Sequence, residues 1–148
     1  MFVVDTNVLL AAAHRNSAHN AAAVALFGRW ARDRTTIALT WGIAYEFLRV
    51  ATHPSVFSKP LTFSDAWSFL DALRRRTRVE FLVEGEDHAD LVATVTSELP
   101  SLAGSPLHDL HTAILAREHG IEEVWSEDVH FHRFPWVRAV QPFTRPKR

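Results

Sequence analysis

The sequence predicts an α/β domain: a central, mostly parallel sheet of four to five strands between two layers of helices, with residues 1–148 forming one domain. Two observations carry this expectation. Short apolar or β-branched runs alternate with amphipathic helical stretches, the pattern of parallel strands covered on both faces. A chain of 148 residues, 47% hydrophobic and 22% charged, suffices for one core, and no repeat, low-complexity tract or linker divides it.

Phe2-Val3-Val4 reads as a short buried strand that stops at Asp5, and Asn7 to Ala13 reads as a helix. Ala21 to Arg32 forms a second helix, with Val24, Phe27 and Trp30 at helical spacing. Thr36 to Thr40 is the second strand. Thr40 is placed to cap a helix from Trp41 to Thr52, which Pro54 closes. Thr62 or Ser64 opens an amphipathic helix that carries Ala66, Phe69, Leu70 and Leu73 and ends in Arg74-Arg75-Arg76. Val79 to Val83 is the third strand, and Asp87 to Leu99 a helix closed by Pro100. Ser105-Pro106 combines an N-cap with proline at the first helical position, and Gly120 ends that helix after His119. Glu123 to Ser126 and Val137 to Val140 are the fourth and fifth strands.

Composition narrows the chemistry. With no cysteine, a disulfide frame, a thiolate metal site and a Cys nucleophile are all excluded. The net charge of −1 lacks the excess of positive charge typical of nucleic-acid-binding domains. Basic residues do cluster, at Arg74, Arg75, Arg76 and Arg78, and in the tail of about residues 143–148, Arg145-Pro146-Lys147-Arg148 included. Each cluster is either solvated surface or a surface for RNA. No signal peptide and no stretch near ~18 apolar residues is visible, so the expectation is a soluble, cytoplasmic protein without a membrane span.

Four carboxylates stand out by position. Asp5 and Asp128 each follow a strand's carboxyl end, where open α/β sheets place ligands, although Asp5 also suits a helix cap. Asp109 lies in the first turn of its helix, favoured there by the dipole; Thr112, Ala113 and Ala116 offer a small face that would turn it towards the strand ends. Glu46 sits at the margin of a buried stripe, three residues before Arg49, with which a plain ion pair is the simpler account. Glu127 reads as an ordinary loop acid. Gathered at one end of a sheet, the four would form a pocket needing a cation. All-oxygen, histidine-free ligation points to Mg²⁺ or Mn²⁺, ions that serve phosphodiester cleavage.

Asp5-Thr6-Asn7, the isolated Glu46, His108-Asp109 before an Ala-rich helix ending in His119-Gly120, and Ser126-Glu127-Asp128-Val129-His130-Phe131 together resemble a PIN-domain ribonuclease. More narrowly, the chain resembles the VapC toxins of bacterial type II toxin–antitoxin pairs. Phe47-Leu48-Arg49-Val50, His53-Pro54-Ser55-Val56-Phe57, Pro60-Leu61-Thr62 and Arg133-Phe134-Pro135 are similar to the mycobacterial and actinobacterial branch. The resemblance implies a PIN-like fold and the acidic set Asp5, Glu46, Asp109 and Asp128, supported by Asn7 and Ser126. His130 departs from the Asp that many relatives carry there. The resemblance further implies a Mg²⁺- or Mn²⁺-dependent endoribonuclease acting on tRNA or ribosomal RNA and arresting translation. Asp5, Asp109 and Asp128 would hold the metal and Glu46 would complete the site. A homodimer and a VapB-type antitoxin are the implied partners.

Other readings compete. A non-catalytic PIN-like module binding RNA or protein would usually lack one of the acids, and none is missing. An HD-type phosphohydrolase could use His108-Asp109 with His111, His130 and His132, but that fold is all-helical. His130 and His132 otherwise read as loop residues. A flap nuclease would need a longer chain.

Overall fold

The computed structural model describes residues 1–143. The expected basic tail, about 143–148, lies outside the described residues except for Phe143. Five strands form one sheet: β1 (Phe2–Val4), β2 (Thr36–Thr40), β3 (Arg78–Leu82), β4 (Glu123–Trp125) and β5 (Arg138–Val140). Their order is β3-β2-β1-β4-β5, and every neighbouring pair is parallel. Six α-helices flank it: α1 (Thr6–Ala13), α2 (Asn20–Arg32), α3 (Trp41–Ala51), α4 (Phe63–Arg76), α5 (His88–Glu98) and α6 (Pro106–Glu118). None of them is long and apolar enough to cross a membrane.

The order places the site. The chain builds outward from β1 through β2 to β3, then returns to lay β4 on the other side of β1. The crevice outside the carboxyl ends of β1 and β4 is therefore the topological switch point of the sheet, where such folds bind ligands. Register fixes which residues share that end: Val3 pairs with Ala38 and Val124, Val4 with Trp125, and Leu82 with Thr40.

Apolar burial holds this arrangement. Val3, Val4, Ile37, Ala38 and Val124 are fully buried, as expected for central strands covered on both faces. Phe47 of α3 and Phe131 and Phe134 after β4 are the largest fully buried side chains. At about 25 cal/mol per Å², each fully buried aromatic of this kind contributes roughly 2–3 kcal/mol. Helix ends follow local chemistry. Thr40 Oγ1 accepts from Ile43 N at 3.0 Å and Thr62 Oγ1 from Asp65 N at 3.0 Å, so Thr62 opens α4. Gly120, at φ +66°, ends α6 while Ile121 N donates to Ala116 O at 2.7 Å.

Three local features differ from the sequence reading. Ser105 adopts helical angles and makes no side-chain cap, because the first turn of α6 winds back to Gly104, whose carbonyl accepts from Leu107 N at 3.0 Å. Thr6 already belongs to α1, one residue earlier than expected, because Asp5 itself serves as the cap. After β4 the chain makes a 3₁₀ turn, Val129–Arg133, that the spacing did not foretell. Its Phe131 anchors the turn in the core and so fixes where Asp128 and His130 stand.

Candidate active site

Asp5 leaves β1 at the switch point and is 7% exposed. Its two roles coincide. Oδ1 accepts from Thr6 N at 2.7 Å, capping α1, while Oδ2 accepts from Asn7 Nδ2 at 2.8 Å and from Ser126 Oγ at 2.6 Å. A carboxylate oxygen has two lone pairs, so Oδ2 is filled and Oδ1 keeps one lone pair for a further ligand. Burial, opposed by the Ser126 and Thr6 bonds and reinforced by the Asp109 and Glu46 charges, pushes the Asp5 carboxyl up to about 6.

Ser126 is the fully buried hub beneath the site. Its hydroxyl donates to Asp5 and accepts from Asn7 Nδ2 at 3.0 Å and Asp128 N at 2.8 Å. Asn7 Oδ1 accepts from Glu127 N at 3.1 Å, tying α1 to the loop after β4. Three residues from two segments 119 positions apart thereby lock one carboxylate. Asn7 and Ser126, which the resemblance implies as supporting residues, thus both bond the Asp5 carboxylate.

Asp128 caps the 3₁₀ turn, its Oδ1 accepting from His130 N at 2.8 Å. Asp109, in the first turn of α6, faces it, with Thr112, Ala113 and Ala116 buried on the same helix. His130 Nδ1 lies between the two, 3.3 Å from Asp109 Oδ2 and 3.4 Å from Asp128 Oδ1. The Asp109 carboxyl is raised by partial burial and then by the Asp128 charge, with His130 acting against both. Ligand atoms of Asp109, Asp128 and His130 lie within 4.8 Å of one another, a spacing one divalent ion can span.

Glu46 comes from the opposite wall. Its Oε2 accepts from Thr6 Oγ1 at 3.1 Å and lies 3.0 Å from His108 Nε2, while Oε1 faces Arg49 at 3.6 Å. The expected Glu46–Arg49 pair is therefore present, and Glu46 also joins the site through Thr6. An open cleft of about 690 Å³ is lined by Gly42, Tyr45, Glu46, Arg49, Ser105, His108, Asp109, Asp128 and His130. Asp5 does not line the cleft itself; its neighbour Thr6 bonds to Glu46 on the wall, and its carboxylate feels the Asp109 and Glu46 charges.

The donor set fits a divalent ion, and it offers one donor beyond the all-oxygen set read from the sequence: the 3₁₀ turn places the His130 imidazole beside the Asp109 and Asp128 carboxylates. Oxygen ligands plus one imidazole suit Mn²⁺ and remain compatible with Mg²⁺. His108 was likewise missed as a partner for Glu46, since 62 residues separate them. The Asp-x-His spacing of 128 and 130 was the available signal for His130.

Arg74, Arg75 and Arg76 are not brought to the cleft. They end α4, which runs into the amino end of β3, while the acids crowd the carboxyl ends. Five residues of strand, roughly 16 Å, separate the two levels. Arg74 and Arg75 pair with Asp71 of their own helix. Arg49 is the arginine that lines the cleft.

Residues 2–137 match the PIN domain family model. Ribonuclease VapC48 of Mycobacterium tuberculosis is 30% identical over 140 residues, covering 95% of this chain and 96% of the relative. Ribonuclease VapC43 of the same organism is 32% identical over 143 residues, covering 96% and 95%. Among solved structures, VapBC2 from Rickettsia felis bound to a promoter DNA fragment aligns with TM-score 0.66 at 18% identity over 94% of this chain and 96% of that one. M. tuberculosis VapC20, described as a sarcin–ricin loop cleaving toxin, aligns with TM-score 0.62 at 15% identity over 93% and 97%. Sheet order, switch-point acids and full-length similarity agree, and the chain belongs to the PIN-domain family, within its VapC group.

Proposed function

We propose that this protein is an endoribonuclease toxin that depends on Mg²⁺, with Mn²⁺ able to substitute, and cleaves structured cellular RNA, tRNA or ribosomal RNA, so inhibiting translation. One observation carries the reading: Glu46, Asp109 and Asp128, from three separate segments, line one open cleft, and the buried Asp5 carboxylate lies close enough to it to feel the Asp109 and Glu46 charges. The ribonucleases VapC48 and VapC43, and VapC20 as a sarcin–ricin loop cleaving toxin, support RNA as the substrate.

Asp5, Asp109 and Asp128 would hold the ion, with His130 beside them. When bound, the ion lowers the pKa of a nearby water and offsets charge developing on the phosphate. The chain's own residues do the positioning. Ser126 and Asn7 fix the Asp5 carboxylate, which would leave the remaining lone pair of Oδ1 available to an ion without reorganisation. Glu46, steadied by Thr6 and His108, orients the attacking water and takes its proton. Water oxygen bonds to phosphorus, the P–O3′ bond breaks, and the leaving 3′ oxygen gains a proton from solvent in the open cleft. The products are a 5′-phosphate and a 3′-hydroxyl, with no role for the RNA 2′-hydroxyl as nucleophile.

A VapB-type antitoxin is the proposed partner, and the Rickettsia VapBC complex supports it; its C-terminal segment would cover the cleft. The toxin acts as a cytoplasmic homodimer; exposed Val24 beside an apolar groove lined by Phe27 and Phe69 supports self-association. Purified, antitoxin-free protein should cleave tRNA or ribosomal RNA with Mg²⁺ or Mn²⁺ and stop on chelation. Asp5→Asn should abolish cleavage while staying folded. Cleavage by Asp5→Asn at the wild-type rate would remove the assigned site.

A further inference from the structure

A second cluster of metal-ligating side chains lies outside the acidic cleft. Glu84 follows β3, His88 is the first residue of α5, and His111 lies two residues after Asp109 in α6, about half a turn round the helix. Ligand atoms of these three lie within 4.8 Å of one another. His111 Nε2 is 2.8 Å from Glu84 Oε1, and the two imidazole rings stand 6.0 Å apart at 84°. Two imidazoles bound to one ion at about 2.0–2.1 Å place their ring centres roughly 5–6 Å apart. The rings therefore need little rearrangement to share an ion.

The surroundings are built for this too. His88 Nδ1 lies 2.8 Å from Glu118 Oε2, which leaves Nε2 as the free nitrogen and supplies the carboxylate–histidine support usual behind a metal ligand. Glu118 is itself fixed, since its Oε1 accepts from Gly85 N at 2.7 Å. A Cβ at Gly85 would come within 2.7 Å of that oxygen, so glycine there admits the contact. His119 Nε2, 2.9 Å from Val83 O, ties the same loop to the end of α6.

We propose that Glu84, His88 and His111 form a second metal site, selective for a borderline transition ion such as Zn²⁺, that ties the start of α5 to α6 and to the end of β3. Two nitrogens and one carboxylate make a softer set than the acids of the cleft, which separates the ions the two sites prefer. The tie has a physical purpose. Val95 is the one fully buried side chain of α5, so apolar packing holds this helix weakly and a three-point ligand adds what burial lacks.

The test uses tag-free protein carrying Asp109→Asn and His130→Ala, which breaks the cleft's Asp109–Asp128–His130 cluster. Titration with Co²⁺ should give one equivalent with the intense visible absorption of a four-coordinate ion, displaced by Zn²⁺. Hydrogen exchange over residues 88–98 should slow with Zn²⁺ present. Glu84→Gln and His111→Asn should each weaken Zn²⁺ binding at least ~10-fold, and Glu118→Gln, acting through His88, by about 10–100-fold. Glu84 is an exposed loop residue, so its variant keeps the fold and the comparison stands. Absence of the Co²⁺ spectrum, or Zn²⁺ affinity unchanged in Glu84→Gln and in His88→Asn with His111→Asn, would overturn the proposal. None of these results depends on ribonuclease activity.

Discussion

Replacing Asp5 by Asn should flatten the pH dependence of stability in metal-free protein. Asp5 titrates at 3.8 in the open chain and is pushed up to about 6 in the fold, chiefly by burial. Below pH ~3.8 it is protonated in both states and contributes nothing. As pH rises from there towards 6, the unfolded chain releases the proton first, so the fold loses stability. Above about 6 the loss is complete and amounts to roughly 3 kcal/mol. For a domain of this size that corresponds to a melting difference of roughly 10 °C. Urea unfolding in EDTA at several pH values between 4 and 7.5, on wild type and Asp5→Asn, measures it. His14, whose pKa is lowered by burial, gives the opposite trend but is common to both proteins and cancels in the difference. Wild type should lose about 2–3 kcal/mol more than the variant across this range. Parallel curves would refute the reasoning, because the buried carboxylate would then carry no ionisation penalty.

Further outcomes follow from the same geometry. Mn²⁺ at ~100 times its Kd should stabilise wild type by about 2.7 kcal/mol, an effect that calorimetric melting should show to be lost in Asp109→Asn/Asp128→Asn. Ser126→Ala leaves Asn7 Nδ2 and Asp128 N without their shared acceptor, so urea unfolding should register a loss of ~1–3 kcal/mol, with cleavage reduced about 10-fold or more. Neutralising Arg74, Arg75 and Arg76 together should leave RNA affinity and its salt slope unchanged, whereas Arg49→Ala should raise KM for RNA. His130→Asp should shift metal preference from Mn²⁺ towards Mg²⁺, read as the ratio of cleavage rates in the two ions.

Much of the fold was legible because its signals are local. Thr40, Pro106 and Gly120 punctuate helices through contacts a few residues long, and Phe2-Val3-Val4 could only be a short buried strand. Asp5, Asp109 and Asp128 were legible as site candidates because each stands beside an element end, where chain direction alone sets position. Glu46 needed the family resemblance, since the Arg49 pairing accounts for it locally. That His108 and Thr6 partner Glu46, and that His130 stands between Asp109 and Asp128, was not legible because those partners are distant in sequence or presented by an irregular turn. The arginine run illustrates the converse: clustered charge is conspicuous in sequence, yet strand direction decides which end of the sheet it occupies.

Hydrolysis of a defined RNA in H₂¹⁸O, in a single turnover with Mn²⁺, probes the proposed chemistry of the four acids most directly. Attack of water on phosphorus should leave fragments with a 3′-hydroxyl and a 5′-phosphate carrying one ¹⁸O, and neither chelated wild type nor Asp5→Asn should form them. A 2′,3′-cyclic phosphate with an unlabelled 5′-hydroxyl would contradict it, since those ends require the RNA's own 2′-hydroxyl as nucleophile.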